Sequence, residues 1–172
     1  MANQIDITYF IGNLTLPVDE PGLQAKLLQE IKTSEPEIFS KVLGFDLYRA
    51  YLLGLAEVAP LQKWLDLRDG KEYTIDGVYY NWRGFTNTNK DSLIAYYIWC
   101  KFVQSDGSYI SGSGTKQLKT ENSAEDNTFK LLTLNYNRMV DMIRELDLFI
   151  NTNIDDYPNY SPSVFEKILY II

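Results

Sequence analysis

The sequence predicts a mainly α fold, a helical bundle of about five helices with one β-hairpin insertion and a long mobile loop. Three observations predict it. Apolar side chains recur at steps of three and four through most of the chain, the spacing that lines one face of a helix. In KEYTIDGVYYNW the pair Asp76-Gly77 sits between β-branched and aromatic residues, which is the short-range signature of a two-stranded hairpin. The stretch QSDGSYISGSGTKQLKTEN, residues 104–122, is polar, carries glycine and is too long for a plain connector.

The N-terminal segment 1–18 mixes β-branched and aromatic residues with Gly12-Asn13 and reads as an extended arm or a short strand. Asp19 and Pro21 then start a helix near 20–32, with Leu23, Leu27, Leu28 and Ile31 on one stripe. Ser34 followed by Glu37 is a capping-box pattern, so a second helix is expected from there to Leu55, with Gly44 marking a bend or a close contact. Pro60 opens a short helix that Asp69-Gly70 ends. The hairpin spans 72–82. DSLIAYYIWCKFV, residues 91–103, is apolar nearly all round and predicts the most enclosed helix. After the loop at 104–122, Ser123 caps a long helix in which Phe129, Leu132, Tyr136, Met139, Ile143, Leu146 and Ile150 repeat in register. NTNIDDYPNY breaks it, and Ser161-Pro162 start a short terminal helix, VFEKILYII.

A chain of 172 residues suits one hydrophobic core, so a single domain over 1–172 is expected, with 20–151 as its helical core and 152–172 as a C-terminal extension. Thirteen Tyr, eight Phe and three Trp suit a core and equally suit surfaces buried between subunits. The net charge of -7 and the scattering of sixteen Lys and Arg, with only Lys116 and Lys119 close together, argue against tight binding of nucleic acid or anionic lipid. The N-terminus shows no basic region leading into an apolar one, so secretion is not expected, and no apolar run reaches the ~18 residues of a membrane span.

Histidine, the commonest acid-base group and zinc ligand, is absent. Cys100 is the only cysteine and lies in an apolar run, so it reads as a core residue. Asp155-Asp156 and the pair Glu121 with Glu125 read as solvated surface, and GSYISGSG lacks the strand and the lysine-serine ending of a phosphate loop. No catalytic residue, metal ligand or cofactor is therefore assigned.

The order of these features resembles the head-tail connector proteins of tailed phages, the adaptors that sit beneath the portal. The resemblance is carried by EPEIFSKVLGFDLYRAYL, by KWLDLRDGKEY before a hairpin, by DSLIAYYIWCKF, by the glycine-bearing loop and by LNYNRMVDMIREL, and it spans about residues 20 to 150. The hairpin insertion and the terminal helix go beyond the minimal adaptor pattern. The resemblance implies a homo-oligomeric ring bound to portal or neck proteins, with DNA passing through a channel without specific binding, in a virion assembled in the host cytoplasm. Subunit contacts are then assigned to Tyr109, Gly112, Gly114 and Lys116 of the loop and to Phe165, Leu169 and Tyr170 of the tail. Two other readings stand beside it. Tyr79, Tyr80 and Trp82 could hold a carbohydrate or peptide, or paired carboxylates could serve a hydrolase, which ranks last.

Overall fold

The computed structural model describes residues 3–16, 21–105, 108–111, 114–117 and 123–168, with the backbone alone described at residue 21 and between 108 and 128. Five helices and two antiparallel ladders follow one another: α1 (Pro21–Leu43), α2 (Phe45–Leu55), α3 (Gln62–Asp69), β1 (Lys71–Ile75), β2 (Val78–Trp82), α4 (Leu93–Ser105), β3 (Ser108–Ser111), β4 (Gly114–Gln117) and α5 (Ser123–Thr152). The fold is mainly α with a hairpin. α4 packs between α1 and α5 and buries Leu93, Ile94, Ala95, Ile98 and Trp99 among its residues, as its all-round apolar sequence predicts.

The first two predicted helices divide elsewhere than expected. α1 runs unbroken through Ser34 and Pro36 to Leu43. Ser34 is buried in the helix interior, where its hydroxyl donates to the Glu30 carboxylate instead of capping a new start. A proline inside a helix costs about 3 kcal/mol. Ile31, Ile38, Phe39 and Val42 are all fully buried along the same helix, and breaking it at Pro36 would forfeit that packing, worth roughly 1.5–3 kcal/mol per side chain. The break falls at Gly44, whose φ of +81° lies in the left-handed region that suits glycine.

The Asp76-Gly77 turn joins β1 to β2 with φ of +50° and +81° at its two residues, and the ladder pairs Ile75 with Val78 through Lys71 with Trp82. Trp82 is fully buried and its indole N–H donates to the Leu67 carbonyl at 3.0 Å, which fixes the hairpin base onto α3. A second short ladder, β3 with β4, lies within the segment read as a loop.

Aromatic rings run through the interior as a connected series. Phe39 meets Phe85 edge-on at 4.7 Å and stacks on Tyr48 at 5.2 Å, and Phe85 meets Trp82 at 5.4 Å. Phe149 touches Tyr73, Trp82 and Tyr157, and Tyr157 reaches Trp64 at 6.1 Å. Much of the aromatic content is thus spent joining α1, α2, α3, the hairpin and α5. Cys100 lies in the same interior, where desolvation pushes its thiol up to about 12.

Both ends of the described chain cross this bundle. Residues 3–16 form an arm with two 3-10 turns, Ile7–Tyr9 and Gly12–Leu14, so the short-strand alternative is not realised. The backbone closes on itself instead, with Tyr9 N–H donating to Asp6 O and Leu14 N–H to Ile11 O, while the Asp6 carboxylate caps Thr8 N–H at 2.8 Å. The expected terminal helix from Ser161 does not form over 161–168, which is an irregular strap. Its physical reason is a non-local partner. Ser161 N–H donates to Leu43 O at 3.2 Å and Ser163 N–H to Lys41 O at 2.7 Å, so the strap serves carbonyls that the end of α1 leaves open. At Gly44 the strap passes so closely that a Cβ would lie 2.6 Å from Ser161 O.

Candidate interaction surface

Four surface features have enough structure behind them to interact with something. The first begins at Gly44 and follows the outer side of α2 into the α2–α3 turn. Phe45 is 70% exposed, Leu53 and Leu61 are more than half exposed, and Val58 at the apex of the turn is fully exposed. Gly54 lets the Trp64 ring pack directly on the α2 backbone, because any Cβ there would collide with the indole. That contact clamps α2 to α3 and presents residues 56–60 as a preformed apolar knob. Glu57, beside Val58, has no ion-pair partner among the described residues.

The second feature is a slot of about 210 Å³ where the strap bridges α5. The strap is held at Ser161 and Ser163 on one side and at Ile168 on the other, where Asn137 accepts from Ile168 N–H at 2.8 Å and donates to Ile168 O at 2.9 Å. Between these anchors Ile143, Pro162, Val164 and Phe165 line the slot together with Arg144, Asp147 and Tyr160. Lys167 holds Asp141 at 2.7 Å, which leaves Arg144 with only a long 3.8 Å approach to that carboxylate.

The third is a polar cleft of about 430 Å³ at the base of the hairpin, lined by Glu72, Asn81, Asn87 and Asn89 among others. Arg83 stands at its edge and is fully engaged: its guanidinium grips Glu145 through two hydrogen bonds of 2.9 and 2.8 Å and pairs with Asp91, which also meets Arg138 at 3.2 Å. Lys71 is likewise taken by Asp66 at 2.6 Å. The cleft offers amide hydrogen bonding with its cations already ion-paired.

The fourth is a cationic node on α1 and α4. Lys41 and Tyr97 both donate to Glu37 Oε1 at 2.7 Å, and Lys101 approaches Oε2 at 3.2 Å. Hydrogen bonds from Lys41 first, and then Tyr97, hold the Glu37 carboxyl down at about 2. Two lysines around one carboxylate leave a local positive charge on an otherwise acidic protein.

The residues assigned from sequence fall in different places. Phe165 is half-buried against the core as part of the slot. Tyr109 and Lys116 are register partners on β3 and β4, and Gly114 starts β4, while Gly112, Leu169 and Tyr170 lie outside the described residues. The aromatic trio of the hairpin is split. Trp82 is sealed in the core, Tyr80 stacks on Tyr73 at 5.7 Å, and Tyr79 points to the opposite side and is 84% exposed. The three rings therefore do not make one platform: alternation of the strand turns Tyr79 away from Tyr80 and Trp82, and Trp82, expected as part of a binding trio, is instead a core residue held by its hydrogen bond to Leu67 O. Sequence reasoning missed the knob. Its signal was the run LLGLAEVAPL, in which Leu53 falls off the stripe of Leu47, Tyr51 and Leu55 and Val58 lies between two helices.

Among the described residues, no group of three or more His, Cys, Asp or Glu is placed to hold a metal ion, and no helix is long and apolar enough to cross a membrane. No family model, no curated protein and no solved structure matches the chain.

Proposed function

We propose that this protein is a structural assembly subunit, a head-tail connector of the tailed-phage adaptor kind that forms a ring at the portal and meets portal or neck proteins. The observation that supports this reading is the group of exposed apolar side chains at the α2–α3 turn, Leu53, Val58 and Leu61, where the Gly54–Trp64 contact clamps the two helices together. A helical bundle whose apolar surface is offered outward is suited to binding copies of itself and a larger body. The net charge of -7 suits a channel wall past which DNA slides without adhering. The site of action would be the virion, after assembly in the bacterial cytoplasm.

Size-exclusion chromatography with light scattering, followed by negative-stain imaging, tests it. Concentration-dependent assembly into closed rings, alone or on added portal, is the expected result. A chain that stays monomeric and ignores portal, and whose tryptophan fluorescence shifts on titration with oligosaccharides, would instead favour the binding-module reading, for which exposed Tyr79 beside the amide-lined cleft is the supporting feature.

A further inference from the structure

We infer that the α2–α3 knob of one copy inserts into the slot beneath the strap of a second copy, so that subunits join head to tail. This rests on the assembly reading and adds to it the two faces that meet. Three observations carry it. The knob ends in an exposed aliphatic side chain, Val58, and the slot is a concavity of about 210 Å³ walled by Ile143, Pro162, Val164 and Phe165. Shape and polarity therefore match: a small apolar projection faces a small apolar recess.

The charges beside them also match. Glu57 flanks Val58 and has no ionic partner among the described residues, while Arg144 lines the slot and approaches only at 3.8 Å an aspartate that Lys167 already occupies; Asp147, which lines the slot too, is already engaged, accepting from Asn151 at 3.0 Å and from the Tyr160 hydroxyl at 3.2 Å. Bringing Val58 into the slot would set a free anion near a loosely held cation, which favours this pairing and its direction over knob-to-knob contact. Knob-to-knob contact would place two Glu57 side chains together.

The third observation is separation within one chain. The strap crosses α2 at its N-terminal end, where Ser161 abuts Gly44, whereas the knob lies beyond Leu55 at the other end. The eleven residues of α2 span roughly 16 Å. Two different surfaces set apart in this way on a rigid body meet only between molecules, and repeated contact of that kind generates a closed ring or an open filament.

The test uses the full chain and reads the concentration at which half the protein is assembled, by light scattering. Val58→Asn should raise that concentration about tenfold, because it sets an unpaired neutral amide against the apolar walls of the slot. Glu57→Arg and Arg144→Glu should each weaken assembly, and the double charge swap should restore most of what either single change loses. Circular dichroism of each variant reports on folding, which these exposed positions should leave intact. If assemblies form and none of the three variants changes them, or the swap fails to rescue, the knob-and-slot contact is wrong while the assembly reading stands. If the wild-type chain neither self-associates at its highest attainable concentration nor binds portal, both are overturned.

Discussion

The two ends of the described chain, residues 3–16 and 161–168, cross the same bundle without an α-helix, yet they are attached in different ways. The N-terminal arm is attached chiefly by buried side chains: Ile5, Tyr9, Phe10, Leu14 and Leu16 are buried and Lys90 lies 4.5 Å over the Tyr9 ring, with Asn135 holding the backbone at Asn13 O at 3.1 Å as a supplement. The C-terminal strap is attached by its backbone, through Ser161, Ser163 and Ile168, while Val164 stands 88% exposed. Burial of apolar area scales with side-chain size, whereas a backbone hydrogen bond contributes only about 0.5–1.5 kcal/mol net. The arm is therefore part of the core, and the strap is laid over it. The knob-and-slot contact draws on the weaker of the two ends, where local opening costs least.

This contrast can be broken most directly with Phe10→Ala. Removing a buried aromatic ring should destabilise the fold by about 3–5 kcal/mol in urea unfolding, while Val164→Ala should stay within about 0.5 kcal/mol. Equal effects would mean that the strap is as integral as the arm.

A buried polar anchor of the arm comes next. Glu35 is 5% exposed, and its carboxylate accepts from Gln4 N–H at 2.9 and 3.0 Å and from Ile5 N–H at 3.2 Å. Glu35→Ala should cost about 1–3 kcal/mol by leaving those donors unpaired, and should speed amide hydrogen exchange at Gln4 and Ile5 selectively. On the strap, Asn137→Ala removes both hydrogen bonds to Ile168 and should cost about 1 kcal/mol or less, with faster exchange at the Ile168 amide and none at the arm.

The smallest expected effects are those of pH, and they separate two carboxylates one position removed from neighbours on α1. Burial raises the Glu35 carboxyl above its usual 4.5, more than its backbone hydrogen bonds lower it. Its contribution is fully present below 4.5 and is lost as pH rises through the folded-state value. Glu37, held at about 2 chiefly by Lys41, behaves in reverse: its contribution is present above 4.5 and is lost as pH falls toward 2. Stability measured across pH 2–8 in Glu35→Gln and Glu37→Gln should therefore lose opposite limbs of the wild-type dependence. A common change in both variants would contradict these environments.

The same contrast explains what could be read from residue order. α4, the hairpin and α5 were legible because each is specified locally: an apolar run, an Asp-Gly turn with two positive φ angles, and a repeat of threes and fours. The arm's apolar residues were visible, but not that they would bury against helices through 3-10 turns. The continuity of α1 past Pro36 and the strap in place of a terminal helix were not legible, because each depends on a partner far away in sequence. Nothing near Ser161 signals that Leu43 O awaits its N–H. Of the surface, Phe165 was singled out from the sequence as a subunit contact, an assignment that remains a proposal, whereas Val58 and Arg144 became meaningful only once the knob and the slot had shapes.

Cys100 has a practical consequence. Its thiol is enclosed in α4 and pushed up to about 12, so almost none of it is thiolate at neutral pH and alkylating probes should pass it by. A cysteine placed on the surface would then be the sole reactive handle on an otherwise native chain. Spin labels or fluorophores could be attached there to measure spacings between subunits, with no need to disturb the interior first.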